Sequence, residues 1–101
     1  MDTDDLSGET YKAIMIEAEM FNHDLTLQFG VLSYQCKDDD DFIEKSTLLI
    51  NEMKKYNNYQ LDDLFFGNPP KMNNFQKALE KILDNIAEVK KIPSESRTFE
   101  Y

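Results

Sequence analysis

With 101 residues, 41% of them hydrophobic and 12% aromatic, the chain suits one folded domain with a modest core; this argues against global disorder and leaves little room for a second domain. Its 20 acidic residues against 11 Lys and Arg give a net charge of −9, which argues against binding nucleic-acid phosphates or anionic membranes and permits a basic protein partner. The single cysteine, Cys36, rules out an internal disulfide and a thiolate-rich metal site.

The opening Met1-Asp2-Thr3-Asp4-Asp5 is acidic where a secretory leader is basic and then apolar, and no stretch approaches the roughly eighteen apolar residues that span a bilayer. A cytoplasmic location is expected. Ser7 suits an N-cap, with Leu6 and Tyr11 placed as a hydrophobic staple and Glu9 where the helix dipole favours an acid. From there Tyr11, Ile14, Met15, Ala18, Phe21, Leu25, Phe29 and Leu32 recur every three to four positions, which predicts one helical face. A single helix as far as Tyr34 spans about 40 Å, with Gly30 its weakest point. Ile16, Met20 and Leu27 lie off this stripe; they either widen the buried face or touch something outside the chain.

Gln35 to Asp41 reads as a turn whose aspartates, Asp38 to Asp41, cap a second helix carrying Phe42, Ile43, Leu49, Ile50, Met53 and Tyr56 and stopping near Asn57 and Asn58. Tyr59, Leu61, Leu64, Phe65 and Phe66 predict a short helical turn over 60–66, ended by Gly67-Asn68-Pro69-Pro70. These aromatics either plug one end of a bundle or, if Phe65 and Phe66 face solvent, form an apolar patch rimmed by Asp62 and Asp63. Asn73, with Gln76 three residues on, predicts the start of a third helix. Its stripe of Phe75, Ala78, Leu79, Ile82, Leu83, Ile86 and Val89 is the clearest in the chain, and it runs to about Lys91 before Pro93 forbids continuation.

The expected fold is therefore all-α: an antiparallel three-helix bundle over residues 1–92, with a short extra helical turn between helices two and three, and residues 93–101 as a flexible tail. The sites considered for chemistry are weak. The aspartate run lacks the glycine and the twelfth-position carboxylate of a calcium loop, since Leu49 stands there. Glu19 and His23, four apart on the predicted helix, have a spacing able to hold a metal, but no second histidine exists to complete a site. Cys36 has no base close by, as thirteen residues separate it from His23. The column Glu80, Asp84 and Glu88 reads as a solvated face.

No catalysis and no cofactor are expected. The composition favours a protein–protein interaction module, with Phe65, Phe66, Asp62, Asp63, Ile16, Met20 and Leu27 as the candidate surface and a homodimer through the spare apolar residues of helix one as one form of it. The alternatives are an acidic antagonist of a basic protein, as small inhibitors and immunity proteins are, and a metal-dependent enzyme, which has the least support.

Overall fold

The computed structural model describes residues 8–65 and 69–92, and these are all-α. Five helices follow in order: α1 (Gly8–Phe21), α2 (His23–Ser33), α3 (Asp39–Met53), α4 (Asn58–Leu64) and α5 (Met72–Lys90). Ser7, Leu6, Phe66, Gly67, Pro93 and the expected tail over 93–101 lie outside the described residues.

The predicted first helix is corrected in one place. It does not run unbroken to Tyr34; it divides at Asn22, not at Gly30. The Asn22 amide still donates to the Ala18 carbonyl (2.9 Å), so α1 closes normally. Its own dihedrals are extended, φ −167° and ψ 139°, and its side chain then caps α2 by accepting from the Asp24 amide at 2.7 Å. Asp24 adds negative charge to the first turn of α2, where the helix dipole favours it. The chain thus doubles back. A β-carbon on Gly30 would sit 3.7 Å from Cε of Met15, whereas one straight helix would hold residues fifteen apart at about 22 Å.

Folding back changes the architecture from three long helices to four packed ones plus α4. α1 packs on α5 and α2, α2 on α3, and α3 on α5. Asn85 Nδ2 donates to the Ala13 carbonyl (3.2 Å) and to Glu17 Oε1 (3.3 Å), Lys81 pairs with Glu17 at 3.7 Å, and the rings of Phe21 and Phe75 lie 6.2 Å apart. Numbers that rise along α1 fall along α5, so the two helices are antiparallel.

Local chemistry explains the other boundaries. Asp38 caps α3 by accepting from the Asp41 amide (2.8 Å), and the buried Thr10 hydroxyl donates to Asp39 (2.8 Å), tying the start of α1 to the start of α3. Asn57 and Gln60 form a reciprocal capping box, so the residues expected only to stop helix two also open α4. The predicted Asn73–Gln76 box does not form. α5 starts at Met72 with no side-chain cap, and Gln76 instead donates to the Lys54 carbonyl (3.1 Å), satisfying a group left free at the C-terminal end of α3.

The core gathers Ile14, Ala18, Leu25, Phe29, Phe42, Ile50, Met53, Phe65, Phe75, Leu79 and Ile82, all fully buried. Phe65 stands edge-on to both Phe21 (6.1 Å, 79°) and Phe75 (5.6 Å, 82°), so α4 closes the end of the bundle where α1 finishes and α5 begins. No helix among the described residues is long and apolar enough to cross a membrane.

Candidate interaction surface

The inner stripes of α1 and α2 take up Ile14, Ala18, Leu25 and Phe29, which leaves the opposite sides to be accounted for. On α1 these sides carry Ile16, 51% exposed, and Met20, 73% exposed, one turn apart. On α2 they carry Leu27 (50%), Val31 (60%) and Tyr34 just past its end (62%), at spacings of four and three. Exposure decides between the two readings of Ile16, Met20 and Leu27: they do not widen the buried face.

α2 is the unusual element. It is apolar on both sides, and its own chain covers one of them. From Leu25 to Cys36 it carries no charged residue, in a chain that is 31% charged. Val31 and Tyr34 were not among the residues singled out from sequence, although with Leu27 they make a second stripe at helical spacing. That spacing was the available signal.

Ile16 and Met20 each border a groove along the seam between α1 and α5. The groove at Met20, of about 380 Å³, is edged by Lys77 and Lys81; the one at Ile16, of about 300 Å³, by Glu9, Lys12 and Glu88. Glu17 lines both. The two grooves are therefore charged at their rims, unlike the outer side of α2.

Of the two readings of the α4 aromatics, Phe65 follows the plug, and its place in the candidate surface is corrected. Phe65 is fully buried in the ring cluster and cannot belong to a contact surface. Phe66 lies outside the described residues, and Asp62 and Asp63 are exposed on α4 beside Tyr59, which is also exposed.

The chemical candidates are placed as follows. Glu19 and His23 fall on different helices, either side of Asn22, so the one-helix spacing that joined them is lost. Among the described residues, no three of His, Cys, Asp or Glu converge as a metal site. Cys36 is buried, with Sγ donating to the Leu32 carbonyl at 3.3 Å, and burial, followed by the charge of Asp41, pushes its thiol up from the ordinary value. The aspartates are engaged in structure. Asp41 accepts from the Lys37 amide (3.1 Å) and from Lys45 (3.2 Å), and the first of these, helped by Lys45, holds its carboxyl below the ordinary carboxylate value. On the acidic face of α5, Glu80 pairs with Lys54, and Glu88 with Lys91 at 3.1 Å.

No family model, curated protein or solved structure matches the chain.

Proposed function

We propose that this chain is a non-catalytic protein–protein interaction module whose docking side is the outer stripe of α2, Leu27, Val31 and Tyr34, with Ile16 and Met20 of α1 as further contacts. The observation that supports it is the second apolar side of α2, left open by a fold that covers the first. The stripe carries no charge, so it suits a partner surface that is also apolar and uncharged; a second copy is the simplest such partner.

Sedimentation of the free protein over a range of concentration and salt tests this. Association through the stripe is expected to be indifferent to salt and to disappear in the Leu27→Ser/Val31→Ser/Tyr34→Ser variant, while the melting temperature stays close to that of the parent. A wild-type protein that remains monomeric at millimolar concentration removes the second copy as the partner. The net charge of −9 favours a second reading, an acidic antagonist of a basic protein. That reading requires binding to a basic protein that weakens steeply as salt rises and survives the triple substitution.

A further inference from the structure

One residue, Asn22, is all that separates α1 from α2. Connections between antiparallel helices usually take about two to five residues. The apolar pattern, moreover, ignores the break. Placed on one continuous helix at about 100° per residue, Ile14, Ala18, Phe21, Leu25, Phe29 and Leu32 fall within about 80° of one another. On the same helix Ile16, Met20, Leu27, Val31 and Tyr34 fall within about 60°, on the other side. Both stripes thus keep their phase across a residue at which the chain reverses.

We propose that the chain has a second, dimeric form in which Asn22 turns helical, α1 and α2 fuse into one rod, and each copy lays its α1 against the α5 and α2 of the other. The partner is a second copy of this chain, and the surface it takes up is the groove that α1 vacates. Every contact of α1 has an identical counterpart in that form. Asn85 donates to the partner copy's Ala13 carbonyl and Glu17, Lys81 pairs with that copy's Glu17, and Phe65 and Phe75 receive that copy's Phe21, so the core is rebuilt without new surfaces. The arrangement is two-fold and closed, which ends it at two copies. The two forms differ locally in the two backbone dihedrals of Asn22 and in its side-chain cap on the Asp24 amide, given up for an uninterrupted helix. The exchange uses the contacts of the inner side of α1 and none of Leu27, Val31 and Tyr34, so it stands independently of the outer stripe of α2.

The test compares the wild type, Asn22→Ala, and a variant with Gly-Ser-Gly inserted after Asn22, each refolded from denaturant at about millimolar protein and then diluted and sedimented. The wild type is expected to yield some dimer that survives dilution for hours, because separation requires α1 to leave the core. Loss of each cap favours the rod about five-fold, and a dimer contains two, so Asn22→Ala is expected to raise the dimerisation constant about 25-fold. The longer hinge lets the hairpin close without exchange and is expected to lower the dimer yield at least ten-fold. If Asn22→Ala does not fold, the wild type and the insertion variant decide the matter by themselves. Absence of a long-lived dimer in the wild type and Asn22→Ala alike overturns the proposal, as does a yield unaffected by the insertion. A dimer that dissolves on dilution and is abolished by Val31→Glu also overturns it, and assigns association to the α2 stripe instead.

Discussion

α5 and α2 are both amphipathic by the spacing of their inner residues, yet the fold treats them differently. Phe75, Leu79, Ile82, Ile86 and Val89 of α5 are all buried, and the rest of that helix is dominated by charged and amide side chains, several of them paired across the bundle. α5 is finished by its own chain. α2 buries Leu25 and Phe29 and leaves Leu27, Val31 and Tyr34 in water. A helix with one apolar side is explained once that side is covered, whereas a helix with two leaves one open, and it is on this side that the docking proposal rests.

The largest effect that sharpens this contrast is expected at the end of the bundle that α4 closes. Phe65→Ala removes a fully buried ring with two edge-on partners and is expected to cost about 3–5 kcal/mol in urea melts; a loss below about 1 kcal/mol would return Phe65 to the surface. Ile82→Ala, at the centre of the buried stripe of α5, is expected to cost about 2–5 kcal/mol by the same measurement. Gly30→Ala runs in the opposite direction. The added methyl meets Met15 at an ordinary contact distance of 3.7 Å within a helix, so a gain of about 0.5–1 kcal/mol is expected. A loss there would mean that α2 and α1 pack closer than described. Val31→Ser, on the open side of α2, is expected to change stability by no more than about 0.5 kcal/mol, and a loss near that of Ile82→Ala would break the contrast altogether.

The smallest effect concerns the turn that leads from α2 into α3. The Asp41 carboxyl titrates below its ordinary value of 3.8 in the folded protein, chiefly through the Lys37 amide and then Lys45. Folding therefore favours the ionised form. Its contribution is complete above the ordinary carboxyl value and is lost as the pH falls through the lower folded value. The melting temperatures of wild type and Asp41→Asn are accordingly expected to differ near pH 6 and to converge as the pH falls below about 4. Curves that remain parallel down to about pH 2 would show that Asp41 is not so held.

Much of the inner face could be read before any coordinates. Of the predicted stripes, Ile14, Ala18, Leu25 and Phe29, then Phe42, Ile50 and Met53, then Phe75, Leu79, Ile82, Ile86 and Val89 are buried, while Tyr11, Phe21, Leu32, Leu49, Tyr56 and Leu83 are partly buried against them. The bend could not be read from the same pattern, because periodicity reports which residues share a side and is silent about a reversal that preserves phase. Its mark lay in Asn22 and Asp24, a cap and a first-turn acid set inside an apolar run. Likewise the Asn57–Gln60 capping box stood in the sequence but resembled a stop. The partial overlap of the candidate surface with the exposed residues has the same origin. Ile16, Met20 and Leu27 stand out by lying off the stripe, whereas Phe65 stands out only as part of a dense apolar segment before Pro69-Pro70, and local density does not say which of its residues the core takes.

The amino-acid order alone determined that the chain is helical and which side of each helix turns inward, since both follow from spacing within a few residues. Tertiary structure decided that the first rod folds at Asn22 into a hairpin, that Phe65 is taken into the core, and that the outer side of α2 is left bare. The physical reason is one of scale. A side-chain cap favours one backbone state of a single residue by about 1 kcal/mol, whereas the faces brought together by the bend each bury several large side chains at about 1.5–3 kcal/mol apiece, so long-range packing chooses between conformations that local sequence leaves nearly balanced.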